Sequence, residues 1–307
     1  MSPSKQSYDF LVRLAAISAT TTALILVVIK LYAWLATDAT AMLASATDSM
    51  LDLFASIMNV IILRFALAPA DQEHKFGHGK AESLAGLVQA AFVLGSALLL
   101  IIHGVERIIT PKVTVQTEIG IWVSIIAIVL TLGLVVIQKY VISKTQSMAI
   151  SADSLHYQSD LILNLGVLAA LFLSQGYWLR ADGVFTVIVG AYLLYGALKI
   201  IWLSVDHLMD RELSLDEVSQ IKAIVSSHDK ALGLHDLRTR QAGQQRFIQF
   251  HLELDDNLTL LAAHSIGEEI EVEIEQALAP CEVFIHHDPK SVVPDDKSHI
   301  TSDNNTV

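Results

Sequence analysis

The sequence predicts an α-helical membrane protein with six transmembrane helices, followed by a small α+β domain of order α-β-β-α-β. Three observations predict it. Of 307 residues, 53% are hydrophobic and only 17% are charged, against about 25% charged in an ordinary soluble domain. The charge is also unevenly placed: residues 1–205 carry 12 acidic and 12 basic side chains, and residues 206–307 carry 20 and 8. The net charge of −12 therefore lies wholly in the last third. Finally, six apolar stretches precede that acidic part, and each is long enough for a bilayer core, which takes roughly 20 residues.

The spans fall at about 10–35, 40–67, 84–109, 119–142, 148–173 and 184–208. Breakers separate them, among them "APADQEHKFGHGK" after the second, "TPKVTVQTE" after the third and "SQGYWLRADG" after the fifth. An even number of spans leaves both termini on one side. Lys5, Arg13, Arg64, Lys75, Lys80, Lys139 and Lys144 flank the spans on that side, and only Arg107, Lys112 and Arg180 flank them on the other. Cationic flanks stay in the cytoplasm, so both termini and the acidic domain are expected there. No removable signal peptide is expected at the N-terminus.

The domain division expected is 1–208 for the membrane part, 209–290 for the α+β part, and 291–307 for a disordered acidic tail. Within 209–290, "LDEVSQIKAIVSSH" and "LLAAHSIGEEIEVEIEQAL" read as amphipathic helices. "LHDLRTRQAGQQRFIQFHLEL" reads as two strands around an "AGQQ" turn, and "CEVFIHH" as a last strand. Cys281 is the lone cysteine, which excludes an intrachain disulfide and a thiolate metal cluster and leaves it a small core residue. The acidic surface argues against nucleic acid and suits cations.

The residues that carry chemistry sit where a bilayer makes them expensive. At 1.5 Å per residue, Asp48 and Asp52 lie about 12 and 18 Å into the second span, on one helix face. The fifth span has His156 and Asp160 at the same spacing, about 12 and 18 Å from its own, opposite, edge. A central carboxylate costs roughly 2.5–3.5 kcal/mol to insert. Three carboxylates and an imidazole converging at one depth form a closed oxygen and nitrogen set, suited to a tetrahedral divalent ion of the zinc type, with Fe2+, Mn2+, Co2+ and Cd2+ compatible by ligand type. Asp153 reads as an interfacial or entry residue, and Asn59, Gln89 and Asn164 as interhelical hydrogen-bonding residues.

Two more clusters lie outside the spans. "DQEHKFGHGK" offers Asp71, His74 and His78 on a loop that Gly77 and Gly79 keep from being helical. In the acidic domain, strand alternation puts His251 opposite Ile248, Phe250 and Leu252, and puts His286 on one face with Asp288. His287 then points the other way. His235 opens the first strand and His264 sits on the second helix. His103, His207, His228 and His299 are read as non-ligands.

"DSMLD", "HYQSD" and "DQEHKFGHGKAE" together resemble the cation diffusion facilitator family, most closely its bacterial zinc and ferrous-iron efflux type, over about residues 8–290. The resemblance implies a homodimeric, proton-coupled exporter in the bacterial inner membrane, with a copper-chaperone-like cytoplasmic domain. It implies that Asp48, Asp52, His156 and Asp160 form the transport site, and that Asp71, His74 and His78 form a second metal site. It further implies a binuclear zinc site of His235, His251, His264, His286 and Asp288, with Asp288 bridging, and an ion pair between Lys80 and Asp210.

The expected mechanism is alternating access. A divalent ion binds deprotonated ligands from the cytoplasm, the helices tilt, and protons displace the ion outside, since protonation and metal binding compete for the same atoms. His156 is the group best placed to sense the gradient, because imidazole ordinarily titrates near 6.5. A channel would need a continuous wet pore, whereas one closed site predicts saturable flux. A membrane metallopeptidase would keep an open metal position, and the chain has no HExxH. The expected partners are thus divalent metal ions, protons, the lipid bilayer and a second copy of the chain.

Overall fold

The computed structural model describes residues 5–37, 40–110, 118–173 and 181–293, and these divide into two compact units, the second beginning at Asp206. The first holds six long helices: α1 (Lys5–Thr37), α2 (Thr40–Ala66), α3 (Lys80–Ile109), α4 (Glu118–Thr145), α5 (Met148–Leu173) and α6 (Ala181–Leu208). Five of them have described segments long and apolar enough to cross a membrane: Ser7–Ala36, Ser45–Ala66, Lys80–Ile109, Ile121–Thr145 and Gly183–Leu208. The expectation of six spans is thus met by five candidates. Among the described residues α5 is not one of these five; its first half carries Asp153, His156, Gln158, Ser159 and Asp160.

Apolar side chains on these helices face outward in long rows, as Phe92, Trp122, Val129 and Trp202 do. Between the helices, buried apolar side chains such as Leu63, Ile150, Leu155 and Leu193 pack beside small residues. A Cβ on Gly104 or Gly183 would come within 3.0 Å of the facing helix, and Gly190 is equally tight against Ile101. These positions bring α3 and α6 together backbone to backbone, as helices in lipid do when close packing replaces the hydrophobic effect. Gly86 seats α3 on Met148, the first residue of α5. Tyr8 donates to Glu82 at 2.6 Å, which ties the start of α1 to the start of α3.

The second unit follows the expected order with α7 (Leu215–Ser227), β1 (Gly233–Ala242), β2 (Gln245–Leu254), α8 (Leu260–Leu278) and β3 (Cys281–Pro289). β1 and β2 are antiparallel and joined through Gly243, whose φ of +60° suits glycine in so short a turn. β3 returns parallel to β2 after the α8 crossover, giving the order β1-β2-β3. Ser214 caps α7 and Glu217 answers it reciprocally, while Thr259 caps α8. Ile221, Val225, Ile248, Phe250, Leu252, Ile270 and Ile274 form the core between the helices and one sheet face.

Among the described residues of this unit, no helix packs on the other sheet face, which carries the period-two partners of that core. Residues 294–307, most of the tail expected to be disordered, lie outside the described residues. The tail's first residues are not irregular: Lys290–Val292 forms a 3-10 turn, and the Ser291 N–H donates to Asp256 Oδ1 at 3.0 Å.

Candidate metal centres

Among the described residues, three groups of oxygen and nitrogen donors close up in space. In the first, His156 Nε2 on α5 lies 2.8 Å from Asp52 Oδ1 on α2 and 3.7 Å from Asp160 Oδ2 one turn on. One donor atom from each of the three residues falls within 4.8 Å of the others. The i, i+4 spacing on α5 puts His156 and Asp160 side by side. A second tie between α2 and α5 is the 2.9 Å hydrogen bond linking Ser56 and Tyr157.

Asp48 is one turn from Asp52 but exposed, and it is not a member of that compact group. Lys30 of α1 donates to Ser49 Oγ at 2.7 Å and so lies beside it. Sequence reading passed over Lys30, although a lysine inside an apolar span was the signal. Asp153 is not an edge residue: it is 1% exposed, and Gln138 of α4 donates to its Oδ2 at 2.7 Å. The hydrogen bond described for Asn164 stays within its own helix, its amide donating to the Asp160 carbonyl at 2.7 Å.

The second group lies on the loop between α2 and α3, as the glycines indicated. Gly77 has φ +77° and α3 begins only at Lys80. The Asp71 carboxylate accepts the His74 N–H at 2.6 Å and the Glu73 N–H at 2.8 Å. These N–H groups, the former leading, hold it below the usual carboxylate range. Its oxygens lie 3.5 Å from His74 Nδ1 and 3.3 Å from His78 Nε2. The His78 ring is buried against Phe65, and neither of its nitrogens has a hydrogen-bond partner. A buried imidazole with two unpartnered nitrogens beside a carboxylate fits a cation.

The third group is on the open face of the sheet. Strand pairing sets His235 beside His251 and His251 beside His286, and all three rings turn to one carboxylate. Asp288 Oδ2 is 3.3 Å from His235 Nε2 and 2.7 Å from His251 Nδ1, and its Oδ1 is 3.1 Å from His286 Nε2. A bulge between His235 and Arg238, with Asp236 at φ +49°, re-aims the start of β1 toward this group. Three imidazoles around a two-oxygen carboxylate fit borderline divalent metals of the zinc kind.

His264 is on α8, on the helix side of the sheet, and is not a member of that compact group. It shares with His251, His286 and His287 the lining of an open cavity of about 640 Å³. His287 pairs in register with the buried Leu252 and so faces the helices, against Gly267. Burial, and then the neighbouring His264 and His286, hold its imidazole below the usual value. Lys80 opens α3, while Asp210, at φ +60°, follows α6 and lies 3.5 Å from Arg240 Nη1. These two belong to different units.

Comparisons with known proteins converge. The cation efflux transmembrane domain matches residues 16–209, and the cytoplasmic domain of cation efflux proteins matches residues 213–290. The cation-efflux pump FieF of Shewanella oneidensis is 50% identical over 287 residues, covering 94% of this chain and 97% of that protein. A pump of the same name from Klebsiella pneumoniae is 47% identical over 289 residues, covering 94% and 96%. The metal-bound C-terminal domain of the CzcD transporter from Thermotoga maritima is 27% identical and covers 26% of this chain and 94% of that one, with a TM-score of 0.25. The chain belongs to the cation efflux, or cation diffusion facilitator, family: it is a multi-pass membrane transporter of metal cations and not an enzyme.

Proposed function

We propose that this chain exports zinc from the bacterial cytoplasm in exchange for protons, by alternating access at a site of Asp52, His156, Asp160 and Asp48. The observation that carries the reading is the approach of His156 to both Asp52 and Asp160, 2.8 and 3.7 Å, which brings donors from two long helices together. Nothing in that donor set discriminates strongly against Fe2+, Cd2+, Mn2+ or Co2+, which are the alternative cargoes. Asp48 joins as fourth donor when α2 turns relative to α5. On this reading α5 is the sixth span, since its polar half faces other helices and not lipid. Both termini are cytoplasmic.

The Asp71, His74 and His78 loop is proposed as an exchangeable entry site, and His235, His251, His264, His286 and Asp288 as a retained site with Asp288 shared between two ions. The latter lies in a domain of copper-chaperone-like topology that draws two copies of the chain into a homodimer. Lys80 and Asp210 are proposed to pair at the junction of membrane and cytoplasm. The test is zinc uptake into proteoliposomes with and without an imposed pH gradient. Saturable uptake that grows when the interior is acid is the expected result. Uptake indifferent to the gradient would replace the antiporter with a facilitator.

A further inference from the structure

One carboxylate of the sheet is used by none of this. Glu253 lies on β2, two residues from His251 and in register with Asp288, and it is fully buried at 0% exposure. A buried carboxylate is costly unless it is paired. Glu253 has three neighbours that account for it. His235 Nδ1 lies 3.1 Å from its Oε1. The Lys290 ammonium donates to its Oε2. Beneath it is Gly233, where a Cβ would fall 2.5 Å from Oε2, so the carboxylate occupies the space a side chain would take.

We propose that Glu253, clamped by Lys290 above Gly233, is a positioning residue that takes the Nδ1–H of His235 and so presents Nε2 as the metal donor. A neutral imidazole has one N–H, and when Nδ1 gives it to Glu253 the lone pair remains on Nε2. That Nε2 faces Asp288 Oδ2 at 3.3 Å. A lone pair and a carboxylate oxygen repel at this distance, and a cation between them makes the contact favourable. Metal-bound histidines commonly hold their second nitrogen this way, and losing the outer partner costs about 10–100-fold in metal affinity. Lys290 cancels the charge of Glu253, so the pair orients the ring without adding negative charge to the site.

The inference rests on the sheet cluster binding metal, and the test separates the two claims. The full-length chain in detergent, carrying Asp52→Asn and His78→Ala, is titrated with zinc against a chromophoric chelator. A parent chain that binds no zinc would sink the metal reading and the proposal with it. If the parent binds, Glu253→Gln is expected to weaken binding about tenfold or more, because the amide can also donate to Nδ1 and permit the other tautomer. The visible absorption of bound Co2+ should change shape in the same variant.

Gly233→Ala is the second probe, since it displaces the end of a flexible side chain and leaves its charge intact. It should weaken zinc binding in the same direction while the metal-free melting temperature stays near that of the parent. It also carries the test if Glu253→Gln fails to fold. A Glu253 that merely braces the fold would give a lower metal-free melting temperature with zinc affinity within about twofold of the parent, and that result would overturn the proposal.

Discussion

The cluster on the α2–α5 helix pair and the cluster on the sheet use the same chemistry, imidazole and carboxylate, on scaffolds of opposite stiffness. In the helical unit, Asp52 comes from α2 and both His156 and Asp160 from α5, and side-chain contacts such as His156–Asp52 and Ser56–Tyr157 join the two helices. In the sheet, His235, His251, His286 and Asp288 stand on three strands locked by a backbone ladder, with Asp288 shared by all three rings. A helix pair can slide or tilt at little cost in backbone hydrogen bonds, because each helix keeps its own. A strand cannot move without breaking its ladder. Donors on separable helices suit release of an ion, and donors on one sheet suit keeping it.

The sharpest way to break this comparison is to remove one donor from each region. His156→Ala should cut zinc flux about 100-fold or more and leave the zinc content of the sheet site unaltered. Flux counted in vesicles and metal counted by elemental analysis would check both halves. Asp288→Ala should do the reverse. It should remove the zinc-dependent rise in stability of the C-terminal unit, about 2.7 kcal/mol at zinc a hundredfold above its dissociation constant, and lower flux far less than His156→Ala does. A loss of flux equal to that of His156→Ala would mean that the two regions are not separable.

Smaller effects sharpen the stiffness of the sheet unit. Burial raises the Glu217 carboxyl, but Ser214 and then Arg246 outweigh it, and the group is held below its usual value. Its contribution to stability is therefore full above the unfolded-state pKa and is lost as pH falls through the lower folded one. Ser214→Ala should cost about 1 kcal/mol at neutral pH and flatten the acid limb of the stability curve, as read by denaturant midpoints across pH. Smallest of all, Cys281→Ser should leave flux and zinc content unchanged. Burial, then Glu275, pushes the Cys281 thiol up to about 11, so alkylation at neutral pH should be ~100-fold slower than for a free cysteine.

Much of this architecture was legible in the sequence, and the gaps have physical causes. Runs of apolar residues located the helices, because a bilayer leaves the backbone no other partner. The same logic located α5 at 148–173 although Asp153, His156 and Asp160 lie within it. Strand alternation separated His286 and Asp288 from His287, since a period of two admits no other outcome. It could not reveal Glu253, because a glutamate on a polar strand face reads as solvated until Lys290 and His235 are seen to cover it. Spacing on one helix joined Asp48 to Asp52 but could not say which neighbour each meets. Nor could spacing foresee the bond from Asn164 to the Asp160 carbonyl, because a helix offers a polar side chain its own carbonyls as readily as a neighbour's groups.

The central claim is that Asp52 and its partners on α5 carry the transported ion. The most direct test compares wild type and Asp52→Ala for saturable zinc uptake into proteoliposomes with an acid interior, at matched protein content. The account predicts that uptake falls to the level of empty vesicles while the sheet site still binds zinc. Undiminished uptake by Asp52→Ala would contradict it, and would leave the aspartates of α2 a structural role.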